Sequence, residues 1–396
     1  MKKILVILVS SVLALFCAVL LYLVYVMVFP QEKIVFDQTN RTFVVKGDVK
    51  VKKAGEGGWQ KMDTATVLEK GDSIESAEDS SADVTIGVNA EKSVRIGQKS
   101  RVDVEGVNPT FLNLSKGKVL VALKKLEPKS SFVVKTPTAV CGAQGTAWLE
   151  ETDGVKTKVC VFESSIYARE LTVQGNPKLW KHTVEEGTQR ILVKDKPISE
   201  PQKIGEDDLS GWKYWDKNVE YLREGKILVN DFDRKENFNN LGGAFGSWVV
   251  FYSDLNQHCR DEFSNERAGD KGFGLKLDYD VDSPYSAYNG FFTNLMGIDL
   301  TGYNYLVFSI KGDKNIGYTT KINVELKNKF QIGKILVTGI TDEWHRFVLP
   351  LGKFAGLINF NNMKELVIVF SDLNVTKKEG VVYIDDIYFS KDEPAD

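Results

Sequence analysis

From Thr42 to about Val193 the hydrophobic positions come in short clusters separated by Gly, Asp and Asn. Val49-Lys50-Val51, Val84-Thr85-Ile86, Val119-Leu120-Val121, Phe132-Val133-Val134 and Val159-Cys160-Val161-Phe162 are β-rich runs at close spacing. Such runs predict an all-β sheet or solenoid-like stack, not βαβ units. Between Lys194 and Lys226 the pattern changes. Pro197 and Pro201 break the strand rhythm, and Leu209, Trp212, Trp215, Val219 and Leu222 then recur at spacings of three and four. That spacing predicts one amphipathic helix whose aromatic stripe docks on a neighbouring domain. Glu206, Asp207 and Asp208 stand at its start, where the helix dipole favours acids. From Ile227 to Ser390 the period returns to two. Ile322 to Lys327 alternates as a half-exposed strand does, and Leu366 to Phe370 is wholly apolar, as in a central sandwich strand.

The N-terminus reads differently. Ile4 to Phe29 is a 26-residue run without a charge, closed by Pro30. A membrane-spanning helix needs about 20 apolar residues, so the run predicts an uncleaved anchor. Lys2 and Lys3 place the N-terminus in the cytoplasm by the positive-inside rule and the bulk of the chain outside. The predicted organisation is a stub and transmembrane anchor over 1–30, a β-rich domain over 31–195, and a helical linker over 196–226. A β-sandwich over 227–391 and a tail over 392–396 complete it. The fold class is mainly β, and the expected location is a single pass through the cytoplasmic membrane with a periplasmic bulk.

Composition removes several functions. Lys+Arg is 51 and Asp+Glu 54, a net charge of −3 without the basic excess of a nucleic-acid binder. Three His and four Cys are too few, and too far apart, for zinc ribbons or ferredoxin sites. An Asp153-Gly154 hairpin turn would set Cys160 opposite Ala147, out of disulfide reach of Cys141. Cys141, Cys160 and Cys259 are therefore expected to be buried and free. No G-x-S-x-G, H-E-x-x-H or phosphate-binding Gly loop occurs. His258 and Cys259, adjacent on a strand, point to opposite faces and form no nucleophile–base pair. The chain reads as a non-enzyme.

Gly47 to Val51, Leu68 to Ile74 and Leu114 to Val119 follow the order seen in FecR-type domains. The most specific phrase runs from Phe132-Val133-Val134-Lys135-Thr136-Pro137 to Gly145-Thr146, and Val184 to Thr188 fits the closing strands. The resemblance covers about 150 residues and implies an extracytoplasmic stack of β-hairpins with no catalytic residues. Sensors of that family carry a cytoplasmic segment before the membrane helix, where this sequence has Met1, Lys2 and Lys3. Their signalling role is therefore not carried over through this chain alone.

The C-terminal part resembles the galactose-binding-like jelly roll of carbohydrate-binding modules, the family-eleven type in particular. The matching phrases are Val229 to Asp233, Asn239 to Gly243, Gly272 to Leu277, Asp299 to Tyr303, Glu343 to Leu351 and Tyr383 to Ile387. The resemblance implies a β-sandwich that binds glycans without cleaving them. Sugar rings pack their C–H faces on aromatic rings. Trp248, Tyr252, Tyr285 and Tyr288, near Gly- or Pro-containing loops, are the candidates, while Phe291, Phe292, Phe308 and Phe370 are assigned to the core. The family also implies a structural Ca²⁺ tying first and last strands, with Asp231, Asp233, Asp385 and Asp386 at the matching positions. No other cofactor is expected. The expected function is a membrane-anchored, non-catalytic envelope protein presenting a glycan-binding sandwich to cell-wall or extracellular polysaccharide. Its membrane contact would be residues 4–29, with envelope proteins as further partners and no nucleic acid. The alternatives are a signalling or assembly protein whose β domains bind other proteins and, third, a carboxylate-dependent glycoside hydrolase.

Overall fold

The computed structural model describes residues 40–87, 90–124, 131–143, 145–251 and 253–395. The apolar run Ile4–Phe29 and the candidate Tyr252 lie outside the described residues. The expected fold class is corrected on one count. Among the described residues no helix is long and apolar enough to cross a membrane, so the described fold is mainly β without a transmembrane element.

The first half builds two facing layers of short antiparallel strands. The strand Thr110–Leu123 belongs to both. Its first part pairs antiparallel with Arg101–Val107 and parallel with Phe132–Lys135. Its last part pairs with Lys92–Ile96 and Ala147–Thr152. The change of layer falls at Gly117, where φ is +94° and an added Cβ would lie 2.3 Å from Ser100 Oγ. Only glycine takes that backbone without strain at that distance. Between the layers Val49, Ile74, Val94, Leu114, Val134 and Val161 form a dry core, with Phe132 set edge-on to Trp148 at 5.8 Å.

The predicted cysteine geometry holds in its outcome and not in its register. Thr152 faces Thr157 and Cys160 faces Leu149, not Ala147. The loop is longer than a two-residue turn because Asp153 Oδ1 accepts the N–H groups of Val155 and Lys156, 2.9 Å from each. Cys141, Cys160 and Cys259 are free and buried.

Glu150 is the chemical anomaly of this core. Its side chain is fully buried, one oxygen accepting the Trp148 indole N–H at 2.9 Å and the other without a partner. Burial pushes its carboxyl up to about 8, against an ordinary value of 4.5. Folded protein therefore holds a neutral Glu150 where unfolded chain holds a carboxylate. Because the folded value is the raised one, this contribution is fully present below pH 4.5 and is lost as pH rises towards 8. Glu150→Gln should match the parent near pH 4 and exceed it by pH 8, the difference growing by up to ~1.4 kcal/mol per pH unit. Chemical denaturation from pH 4 to 9 measures this. A stability difference that does not change with pH would refute the neutral carboxyl.

The second half is a sandwich of two antiparallel sheets. One holds His258–Ser264, Gly274–Asp280, Glu379–Ser390, Tyr305–Gly312 and His345–Pro350 in that order, with Lys226–Asn230 paired to Glu379–Ser390. The other is ordered Phe245–Val249, Tyr288–Ile298, Met363–Ser371, Lys321–Lys327 and Ile332–Thr338. Period-two alternation sends Ile322, Val324 and Leu326 inward from one strand, and Leu366, Ile368 and Phe370 from its neighbour. Tyr279 of the first sheet stacks on Phe370 of the second at 4.1 Å, with ring planes 8° apart.

The predicted helix is present at Glu206–Arg223. Trp212, Trp215 and Val219 pack on Leu120, Leu149, Cys160 and Phe162, with Trp212 stacked on Phe162 at 5.0 Å. Asp208 in its first turn meets Lys158 at 2.8 Å and Lys118 at 3.3 Å. The stripe is not all on one contact: Leu209 is 37 % exposed, and Leu222 packs against the sandwich core instead. The opposite face also binds the sandwich. Asn218 Nδ2 donates to Asn240 O at 2.8 Å, Tyr214 to Asn239 O at 3.2 Å, and Tyr221 meets Tyr388 edge-on at 5.6 Å. The strand Asn40–Lys46 makes a second joint, since its Val44 is part of the sandwich core. Beyond Gln38 the chain is accordingly one compact unit.

Candidate glycan-binding cleft

The outward positions of the five-stranded sheet line a cleft of about 680 Å³. Cross-strand register arranges them in rows. Trp248 faces Gly290, Gly290 faces Val369, and Val369 faces Asn323. In the next row Phe292 faces Val367, which faces Glu325, which faces Lys334. Tyr288 faces Ser371, and Glu365 faces Lys327. The cleft thus changes chemistry across the sheet. One edge is aromatic, the floor is valine, and the other edge is ionic.

At the aromatic edge Trp248 and Tyr288 meet at 6.0 Å with their planes 69° apart. Beside them no side chain fits at position 290, where a Cβ would lie 1.9 Å from Ile368 O. The missing side chain leaves the hollow between Trp248 and Val369 open to a flat ring. At the ionic edge Glu325 meets Lys334 at 2.7 Å and Lys327 at 3.7 Å, and Lys327 reaches Glu365 at 3.5 Å. Both carboxylates are therefore tied to a shared ammonium. Five strands at about 4.8 Å spacing span about 19 Å, so an extended ligand crossing them would meet aromatic, aliphatic and charged surfaces in turn.

Of the four predicted aromatics, the structure brings Trp248 and Tyr288 together in the cleft. Tyr285 is 70 % exposed and does not line it. Tyr252 lies outside the described residues. One assignment to the core is corrected: Phe291, Phe308 and Phe370 are buried there, but Phe292 lines the cleft. The signal was available, because Tyr288, Gly290 and Phe292 share one parity and Phe291 has the other. The ionic edge was missed as a site. Asn323, Glu325 and Lys327 read from the sequence only as the polar side of an alternating strand.

The predicted calcium residues form a different arrangement. Lys217, projected from the helix, places its Nζ 2.6 Å from Asp231 Oδ2 and 3.0 Å from Asp233 Oδ2. Asp385 turns away, its oxygens accepting the N–H groups of Ala268 and Asp386, each at 2.8 Å. Burial, and then the Asp386 charge, pushes the Asp385 carboxyl up to about 7. Burial also raises Asp386, against the opposing pull of Lys217. Among the described residues no group of three or more His, Cys, Asp or Glu is arranged to hold a metal ion. These residues do not fit Ca²⁺, which needs six to eight oxygens around a free centre. An ammonium stands between the carboxylates instead.

The fold and cleft define a two-sheet β-sandwich with an open cleft on one face, joined through a helix to a layered β domain. Residues 72–167 of that first domain match the family described as FecR protein. Solved structures similar to this chain include the Family 11 Carbohydrate-Binding Module of a cellulosomal cellulase of Clostridium thermocellum. It is 15 % identical and has a TM-score of 0.32 over 42 % of this chain and 94 % of that one. A Family 11 Carbohydrate-Binding Module from Clostridium thermocellum in complex with a β-1,3-1,4-mixed-linked tetrasaccharide is 16 % identical, with a TM-score of 0.33 over 42 % of this chain and 95 % of that one. A putative anti-sigma factor from Parabacteroides distasonis is 11 % identical, with a TM-score of 0.29 over 41 % and 69 %. No curated protein matches the chain.

Proposed function

We propose that this chain is a non-catalytic glycan-binding protein of the cell envelope, which holds an extended polysaccharide across the five-stranded sheet. The observation that carries the reading is the cleft itself. It sets Trp248, Tyr288 and Phe292 beside a valine floor and a Glu325–Lys334, Lys327–Glu365 edge. Aromatic faces take the apolar face of a sugar ring, and pre-paired charges take its hydroxyls without an isolated buried charge being left behind. The FecR match over residues 72–167 supports an extracytoplasmic setting, where cell-wall or extracellular polysaccharide is the available partner. The test is affinity electrophoresis of the purified chain through gels containing neutral, aminated or uronic polysaccharides. Retardation by at least one glycan is expected, and free passage through all of them by folded protein would overturn the reading.

The FecR match also favours a second reading, a signalling or assembly role exercised through protein partners. It predicts free passage through every gel together with capture of an envelope protein. Release of reducing sugar from a retarding glycan would instead mark a hydrolase.

A further inference from the structure

An exposed, apolar loop lies on the first domain, away from the cleft residues in sequence and chemistry. It is the connection between strands Ser165–Glu170 and His182–Glu185. Leu179 is 91 % exposed, Trp180 81 % and Val173 69 %. The segment is held by its own backbone. Leu171 pairs with Pro177, Thr172 N–H donates to Asn176 O at 2.9 Å, and Lys178 N–H donates to Glu170 O at 2.9 Å. Val173 N–H donates to Asp195 Oδ2 at 2.9 Å, which ties in a second turn. The exposed side chains are therefore presented by an ordered loop.

Basic side chains flank the exposed apolar positions, while the nearby acids, Glu170 and Asp195, are held in hydrogen bonds at the base of the loop. Lys178 and Lys181 flank the Leu-Trp pair, and Lys194 and Lys196 flank Asp195 on the neighbouring turn. Leu171 to Lys181 contains no acid, and Asp195 is engaged with the loop backbone. Three protruding side chains are too few for a protein–protein patch, which needs about 800 Å² from each partner. They suit a bilayer interface, where Trp settles at headgroup level, Leu reaches the acyl boundary and Lys meets anionic headgroups.

We infer that Leu179, Trp180 and Val173 insert into an anionic lipid surface, with Lys178, Lys181, Lys194 and Lys196 as its electrostatic rim. The inference does not depend on glycan binding. The loop would dock the first domain on a membrane.

The test uses residues 39–396, the unit that holds the core clusters described above, with a cooperative melting transition as the check that it folds. This protein is sedimented with vesicles of phosphatidylcholine alone or with a third phosphatidylglycerol. At least tenfold stronger partitioning to the anionic vesicles is expected, falling as salt rises. The double variant Leu179→Ser/Trp180→Ser should lose at least tenfold and keep its melting temperature, because both side chains already face water. Equal binding to both vesicles, no binding to either, or an unimpaired double variant would overturn the inference. So would self-association without vesicles that the double variant abolishes, since the occupant would then be a second copy.

Discussion

Lys217→Ala lowers the melting temperature of the protein by several degrees, and calcium does not restore it. In the parent the Lys217 ammonium sits 2.6 Å from Asp231 and 3.0 Å from Asp233, and it also interacts with Asp386. Burial works to lower the Lys217 pKa, but the two carboxylates override it and hold it above its ordinary value. Removing one partner of a buried ion pair costs about 3–5 kcal/mol. The Lys217 side chain is 36 % exposed, so roughly 2–3 kcal/mol is expected after allowance for solvent screening. At about 2 °C per kcal/mol for a unit of this size, the midpoint falls by about 5 °C.

The variant leaves Asp231 and Asp233 without their ammonium, but Ca²⁺ needs six to eight oxygens that this group does not supply, so millimolar Ca²⁺ should restore none of the loss. The parent should melt at one temperature in calcium and in chelator. A parent that melts higher in calcium would show that the ammonium does not stand where a metal could bind, and a variant as stable as the parent would show that the ion pair contributes nothing. The physical consequence is a division of labour. The sandwich's acidic cluster is neutralised by a residue of the helix, so the sandwich and the first domain share one electrostatic latch.

Trp248→Ala weakens binding to the retarding glycan by about 30-fold. An aromatic that stacks on the ligand is worth about 2 kcal/mol when truncated, and each 1.4 kcal/mol is tenfold. Trp248 sits on an edge strand and its partner Tyr288 is 40 % exposed, so the fold should survive the change. Tyr285→Ala is the matching control. Tyr285 is 70 % exposed and lies off the cleft, so affinity should not move. Isothermal titration of the three proteins decides it. Unchanged affinity in Trp248→Ala, or a loss in Tyr285→Ala equal to it, would remove the cleft as the binding site.

Much of this molecule was legible in the chain, because local chemistry writes itself in short periods. Alternation marked Ile322–Lys327 and the apolar run marked Leu366–Phe370, and both are strands of one sheet. Spacings of three and four marked the helix, and nearness to Gly- or Pro-containing loops flagged Trp248 and Tyr288, along with Tyr252 and Tyr285. Parity even held the answer for Phe292, since its strand neighbours Tyr288 and Phe291 had been assigned to opposite faces. The tertiary structure alone decided which outward faces meet. Glu325, Lys327, Lys334 and Glu365 come from three strands, and only cross-strand register makes them one ionic edge. Lys217 lies among charged and aromatic helix positions that give no hint of its partners. Its place between Asp231 and Asp233 depends on how a helix packed on one domain meets the first strand of another. A sequence determines period and side-chain chemistry residue by residue. Long-range register and docking are set by the whole core, and there the carboxylates expected to hold a metal met an ammonium instead.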